Sequence, residues 1–310
     1  MKKILITGGA GFIGSSLAEK LSRNTDYSIV IADNLATGYA NNVPSRSNVT
    51  FIKCDVNIYN DISAVMNAYS FDYVFHYAAV VGVQRTLDNP IMVLNDLDGI
   101  KNILGISKNT GVKRVFFSSS SEVYGEPVEL PQHEETTPLN SRLPYAIVKN
   151  VGEAFCRSYE KEYRLPYTVF RFFNTYGPKQ SEDFVMTKFL RAALEGRSLT
   201  VNGTGQQTRT FCYVDDNVDT TTAILENQEF VNDVINIGSD VTTTILELAN
   251  TIIQVTGSKS KIEYLPPLKE GDMSRRLPDI SRMKHVLHRN LTPLSEGISR
   301  ILVSEDWKKK

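Results

Sequence analysis

Cysteine, tryptophan and histidine are scarce in this chain of 310 residues, with three, one and four copies. Cys54, Cys156 and Cys212 are far apart and odd in number, which argues against a disulfide framework. The histidines show no H-E-x-x-H spacing and no C-x-x-C accompanies them, so no metal site is expected. Charge of one sign is also missing: 34 Lys and Arg against 35 Asp and Glu leave a formal net charge of -1. Binding to a phosphate backbone needs concentrated Lys and Arg, so nucleic acid is not expected as a partner. The one basic tract, Lys308-Lys309-Lys310, reads as a solvated tail. No apolar run reaches the ~20 residues that span a bilayer. Met1-Lys2-Lys3 leads into a strand that is too short, and too promptly followed by glycines, for a secretory leader. The expectation is a cytoplasmic protein without a membrane partner.

What is present is ordinary globular composition, 41% apolar and 22% charged. The length allows one large domain or a domain with a smaller lobe. Apolar strand-like runs fall at Lys3–Thr7, Ser28–Asp33, Thr50–Lys53, Tyr73–Tyr77, Val115–Ser118 and Thr168–Arg171. Helical periodicity separates them over Ile13–Arg23, Ile58–Ala68, Ile91–Lys108 and Tyr145–Tyr163. This alternation predicts an α/β fold, a doubly wound and mostly parallel Rossmann-type sheet with helices on both faces. After Arg171 turns become frequent. Residues 1–171 are therefore predicted to be mainly the nucleotide-binding domain and 172–310 mainly a C-terminal substrate lobe. Within the latter, 211–237 is expected to return to the sheet, Phe211–Leu225 as a helix with its lead-in and Val234–Ile237 as a strand.

The densest signal follows the first strand: Gly8-Gly9-Ala10-Gly11-Phe12-Ile13-Gly14. Gly8 permits the turn, Gly11 lets the backbone approach phosphate, and Gly14 allows the helix to pack on the sheet. The N–H groups of the helix starting near Phe12 and Ile13 would face a pyrophosphate. The plainer reading is a structural tight turn. Asp33 closes the second strand about twenty residues on, where a carboxylate accepts both ribose hydroxyls and repels a 2′-phosphate, favouring NAD. Its alternative is a helix cap or turn. Asp55, at the end of the third strand, could accept from the adenine amine, and Asn34 and Val56 beside these acids belong to the same expected cofactor site.

Tyr145 and Lys149 stand four apart at the start of a helical pattern, which puts both on one face. A phenol with an ordinary pKa of ~10 is a poor base at neutral pH. A neighbouring ammonium lowers the cost of its ionisation and makes it useful against a hydroxyl proton. Ser118-Ser119-Ser120-Ser121-Glu122 ends the strand Val115-Phe116-Phe117. Those hydroxyls could cap a turn. Alternatively, Ser120 could bond the reacting oxygen and Glu122 act as an acid–base group.

The glycine turn, His76-Tyr77-Ala78-Ala79, the serine run through Tyr124-Gly125, Tyr145–Lys149 and Arg171-Phe172-Phe173-Asn174-Thr175-Tyr176-Gly177-Pro178 together resemble the extended short-chain dehydrogenase/reductase family. That resemblance implies an NAD-dependent epimerase, dehydratase or decarboxylase acting on a nucleotide-diphosphate sugar, with UDP the usual nucleotide. It implies a catalytic triad of Ser120, Tyr145 and Lys149. Tyr145 would take the sugar C4 hydroxyl proton as hydride leaves C4, and Lys149 would also hold the nicotinamide ribose. Tyr77, Ala78, Ala79 and Asn95 would complete the cofactor site. The resemblance places Ser120, Ser121 and Glu122 against the sugar, Asn174 at the diphosphate, and the segment from Leu199 through Val201 to Arg209 over the base, with Arg209 reaching phosphate. Tyr77 stands where the family usually has Leu, and Thr210 where relatives commonly have Asp.

The Ser121-Glu122 pair resembles UDP-glucuronate decarboxylases, as does Arg275-Arg276-Leu277-Pro278-Asp279-Ile280 apart from Leu277. Arg276 would then bind a uronate carboxylate. Arg142, three before Tyr145, agrees with that branch, whereas Pro144–Lys149 is closer to 4-epimerases. The expected reaction is decarboxylation of UDP-glucuronate. UDP-sugar 4-epimerisation, 4,6-dehydration of an NDP-glucose and a non-catalytic NAD-binding regulator are the alternatives. The family also implies a homodimer through Ile91–Lys108 and Tyr145–Tyr163, where Ile100, Ile103, Ala154 and Phe155 widen the apolar face.

Overall fold

A computed structural model describes residues 1–267 and 275–308. Lys309 and Lys310 of the expected tail lie outside the described residues. Six strands arise in the order foreseen: β1 (Lys2–Thr7), β2 (Tyr27–Asp33), β3 (Val49–Lys53), β4 (Tyr73–His76), β5 (Arg114–Ser120) and β6 (Tyr167–Phe172). Short strands β7 (Thr175–Tyr176), β8 (Leu199–Asn202), β9 (Thr208–Thr210) and β10 (Cys212–Tyr213) precede β11 (Asp233–Ile237). The last two are β12 (Thr242–Thr244) and β13 (Ile262–Leu265).

One seven-stranded sheet has the order β11-β6-β5-β4-β1-β2-β3, and all its pairings are parallel. From β1 the chain runs outward through β2 and β3, then crosses back to place β4 on the other side of β1. This reversal opens a crevice at the carboxyl ends of β1 and β4, where open α/β sheets take their ligands. β11 pairs with β6, so the expected return to the sheet does occur. The small strands pair separately, β7 with β10, β9 with β12 and β8 with β13.

The helices are α1 (Phe12–Leu21), α2 (Tyr59–Tyr69), α3 (Val83–Asp88), α4 (Pro90–Leu94), α5 (Asp96–Ser107) and α6 (Pro144–Tyr163). Then follow α7 (Val185–Leu194), α8 (Val214–Asn227), α9 (Ile245–Thr256), α10 (Ser281–Leu287), α11 (Leu294–Val303) and α12 (Glu305–Lys308). Strand alternation explains why helices cover both faces. Ile4 and Ile6 pack with Leu17 of α1 and Val218 of α8, whereas Leu5 packs on the other side with Ile62 of α2 and Ile103 of α5. Gly152 lets α6 approach the sheet: a Cβ there would stand 2.3 Å from the Phe117 ring. No helix among the described residues is long and apolar enough to cross a membrane.

Two local outcomes differ from the periodicity. The stretch expected as one helix over Ile91–Lys108 is two, α4 and α5, parted at Asn95. α3 forms in a segment without a clear helical pattern. Ile100 and Ile103 of α5 are 3% and 0% exposed, so they belong to the core of this chain and not to a face toward a partner.

Candidate active site

A cavity of about 750 Å³ runs along the carboxyl ends of the strands. Its floor is the glycine turn. Gly8 has φ +67°, and a Cβ there would lie 2.6 Å from the Ala78 amide nitrogen. At Gly14 a Cβ would stand 2.4 Å from the Gly8 carbonyl, so a side chain would push α1 off the turn. α1 has no side-chain cap and no acid in its first turn, which leaves its N-terminal N–H groups facing the cavity wall formed by Gly11, Phe12, Ile13 and Gly14.

Asp33 is held by two donors, the Ala10 N–H at 3.0 Å and the Leu35 N–H at 2.8 Å. Each oxygen keeps a further acceptor direction for a ribose hydroxyl. Asn34 donates to Asp55 at 3.0 Å, and Asp55 also accepts from the Asn57 N–H at 2.9 Å. Asp55 therefore braces Asn34 as well as lining the cavity with Val56. The glycine cradle, the uncapped helix start and a fixed acid at the end of β2 fit a dinucleotide. Tyr77, Ala78, Ala79 and Asn95 line the cavity farther along.

The candidate reacting groups sit at the end of β5 and the start of α6. Ser120 ends β5 and caps a single 3-10 turn over Ser121–Tyr124, accepting from the Glu122 N–H at 3.2 Å. Pro144 at the first position of α6 suits a helix start, and Tyr145 follows it. Burial pushes the Tyr145 phenol up; its hydrogen bond with Ser120 works against that shift, Glu122 and Asp96 add to it, and Arg276 opposes it. Lys149 donates from Nζ to the Ser118 carbonyl at 2.7 Å, and that nitrogen lies 5.7 Å from the Tyr145 ring centre. Burial brings the Lys149 ammonium down to about 8, with Asp96 acting the other way. Buried His76, paired through Nδ1 with Thr7 Oγ at 2.8 Å, is pushed down to about 3 by desolvation and by Lys149. His76 is thus neutral, and Lys149 carries the positive charge beside the phenol.

Arg276 reaches the same point from far along the chain. It is 7% exposed, forms an ion pair with Glu122 at 2.6 Å and donates to Ser121 Oγ at 2.9 Å. A strap positions it: Gln132 N–H donates to the Leu277 carbonyl at 2.7 Å, and Asp279 N–H returns to the Gln132 carbonyl at 2.8 Å. Asn174 has φ +29° and lines the cavity with a buried amide nitrogen that has no acceptor among the described residues. Two expected substrate residues stand elsewhere. Val201 is fully buried in the core, and neither it nor Arg209 lies among the residues lining the cavity. Strand alternation turns Val201 inward, toward the core that α7 and α9 share.

A family model described as the NAD dependent epimerase/dehydratase family matches residues 4–238. The chain belongs to that family. As a member it is an NAD-dependent enzyme. It is 38% identical over 301 residues to the UDP-N-acetyl-alpha-D-glucosaminuronate decarboxylase of Bacillus cytotoxicus, covering 92% of this chain and 91% of that relative. The solved UDP-glucose 4-epimerase of Thermotoga maritima, with UDP-glucose, is similar at a TM-score of 0.91 and 32% identity, covering 99% of both chains. The UDP-glucuronic acid 4-epimerase of Bacillus cereus, solved with UDP-glucuronic acid and NAD, is similar at 0.89 and 31%, again over 99% of both.

Two features of this family member escape a reading of motifs. Arg85 and Asp183, both on the cavity wall, form an ion pair at 3.0 Å that ties α3 to the loop after β7. Asp96 is buried on the same wall, although as the first residue of α5 it reads in sequence as an ordinary acid at a helix start.

Proposed function

We propose that this enzyme decarboxylates a UDP-linked hexuronate of the glucuronate type through a 4-keto intermediate. The observation that carries this reading is Arg276, a buried guanidinium held between Ser121 and Glu122 beside the Ser120–Tyr145 pair. Arginine suits a carboxylate because its planar fork offers paired N–H donors. A neutral hexose gives such a buried charge nothing to recognise.

Bound NAD supplies the acceptor for the C4 hydride and returns it at the end. Tyr145, as phenolate, takes the C4 hydroxyl proton, while the Lys149 ammonium stabilises that phenolate. Ser120 donates to the C4 oxygen. Once C4 is a ketone the substrate is a β-keto acid. Its C5–C6 bond then breaks, carbon dioxide leaves, and the electron pair passes to the C4 oxygen as an enolate. Ser120 and the protonated Tyr145 hold that oxygen by hydrogen bonds. C5 takes a proton, with Glu122 assigned to relay it, and Tyr145 gives its own proton back to the C4 oxygen as C4 is reduced.

Asn174 is assigned to the diphosphate, and the chain beyond β6, apart from α8 and β11, to the sugar-nucleotide lobe. A homodimer through α4, α5 and α6 fits the exposed Ile91, Leu94 and Ile147 on α4 and α6. Light scattering should give twice the chain mass, and an active monomer would refute the dimer.

The test is purified protein with NAD and a panel of UDP-glucuronate, UDP-N-acetylglucosaminuronate, UDP-glucose, UDP-N-acetylglucosamine and dTDP-glucose, read by mass and sugar configuration. Loss of carbon dioxide from a uronate is expected, and loss of water would select dehydration instead. Unchanged mass with inverted C4 would select 4-epimerisation, the second reading, which the likeness to the UDP-glucuronic acid 4-epimerase favours. Arg276→Gln should raise KM for uronates by about 10-fold or more, the worth of a charge-assisted bond, and leave KM for neutral sugars unchanged. Unchanged uronate affinity would remove Arg276 from carboxylate binding.

A further inference from the structure

We propose that Arg85 is a substrate-binding residue held by an internal competitor: Asp183 occupies its guanidinium, and an anionic group of the incoming sugar-nucleotide exchanges with Asp183 on binding. This rests on the nucleotide-diphosphate sugar proposed above as substrate and deepens that reading.

The charges on the cavity wall lead to this pair. A nucleotide-diphosphate sugar carries negative charge at its diphosphate, and a uronate adds a carboxylate. Among the described residues the cations on the wall are Arg85, Lys149, Lys179 and Arg276, and each already has protein partners. Lys149 is committed to the Ser118 carbonyl beside Tyr145. Lys179 lies between the Asn42 carbonyl at 3.3 Å and Asp306 of α12 at 3.6 Å, with its side chain only 10% exposed. Arg276 is fixed deep in the site by Ser121 and Glu122. Arg85 and Asp183 differ from these: their side chains are 32% and 41% exposed, and both line the cavity. A pair so open to water is worth a factor of about five at most. A charge-assisted bond to phosphate or carboxylate is worth about tenfold or more, and a guanidinium matches either anion with two parallel bonds. Exchange at Arg85 therefore gains on balance.

Local geometry equips the two groups to part. Arg85 Nη1 donates to the Val81 carbonyl at 2.9 Å, which holds the guanidinium on the wall independently of Asp183. Asp183 Oδ2 accepts from Arg85 Nη2 at 3.0 Å and from Ser181 Oγ at 3.0 Å, so the carboxylate keeps a donor when the arginine leaves. Gly82, at φ +106°, lets α3 come this close: a Cβ there would stand 3.3 Å from Asp183 Oδ2. The rest of loop 177–184 is anchored elsewhere, Lys179 to α12 and Glu182 to Arg191 of α7 at 3.3 Å. Of the loop's charged residues, Asp183 is the one that reaches α3.

Calorimetric titration of the NAD-bound enzyme with UDP, UDP-glucose and UDP-glucuronate tests the exchange. Arg85→Gln should weaken binding about 10-fold or more. Asp183→Asn keeps the shape and an acceptor for Ser181 but removes the competing charge, and it should tighten binding by up to about fivefold. The double variant should match Arg85→Gln, because without the guanidinium nothing is left to release. Opposite signs in the two single variants are the signature. A merely structural tie between α3 and the loop would be broken by either substitution, and both would then weaken binding. That result, or unchanged affinity in both variants, would overturn the proposal. A response to UDP and UDP-glucose assigns the diphosphate as the exchanging anion, and a response confined to UDP-glucuronate assigns the carboxylate. Wild type that binds these ligands without releasing carbon dioxide from the uronate would remove the proposed reaction, while the two signs would still decide the exchange. Wild type that binds none of them would overturn the exchange itself.

Discussion

Tyr145→Phe is expected to lower kcat by about 10²–10⁴-fold, the usual worth of a positioned acid–base group. Affinity for NAD should stay close to wild type. The substitution keeps the ring beside Lys149 and removes a single oxygen, so packing of α6 on β5 is preserved. What disappears is the acceptor for the C4 hydroxyl proton. Burial holds the phenol well above its ordinary value, and both Glu122 and Asp96 push it further in that direction. Tyr145 therefore depends on cationic charge, with Lys149 at its ring face and Arg276 beyond Glu122, to become a base. Steady-state turnover and NAD titration on the same preparation provide the check. Near-normal turnover in the variant would take the phenol out of the reaction.

Glu153→Ala is expected to cost about 3–5 kcal/mol of stability, because it leaves a buried charge without its partner. Glu153 is 0% exposed and Arg171 3%. The carboxylate accepts from Arg171 Nε at 2.9 Å and Nη2 at 2.7 Å, and from Ser119 Oγ at 2.6 Å. Arg171 also donates to Tyr124 Oη at 2.8 Å, and Tyr124 to Asn236 at 2.8 Å. The pair thus joins α6 to β5, β6 and β11 directly behind Ser120 and Tyr145. Adding Arg171→Met should recover part of the loss, since an apolar side chain leaves no charge stranded. Urea unfolding of the single and double variants measures both effects. A cost below about 1 kcal/mol in the single variant would show that the pair contributes little, as exposed pairs do. Because Ser119 adjoins Ser120, kcat should fall as well.

Several parts of this site could be read one segment at a time. Gly14 announces itself because a Cβ there would strike the Gly8 carbonyl a few residues back, and Gly8 because its φ of +67° is a local demand of the turn. The four-residue spacing of Tyr145 and Lys149 survives intact because α6 is regular from its proline onward. Asp33 falls where β2 ends, and strand length sets that position. Val201 shows the limit: its segment matches a family motif, yet alternation along β8 sends its side chain into the core. Asn95 shows another, since the apolar period runs through the break between α4 and α5.

The sequence by itself determined the elements, the dinucleotide turn and the phenol–lysine pair, because each depends on backbone period and on neighbours a few residues away. The tertiary structure alone decided which distant groups meet. Arg276 lies 155 residues from Ser121, and it arrives there because the Gln132 strap docks on the segment behind it. α5 packs against α6 because β4 and β5 follow β1 on the side away from β2. That order is fixed by burial of the whole sheet on both faces, a sum over the core to which no single segment holds the key.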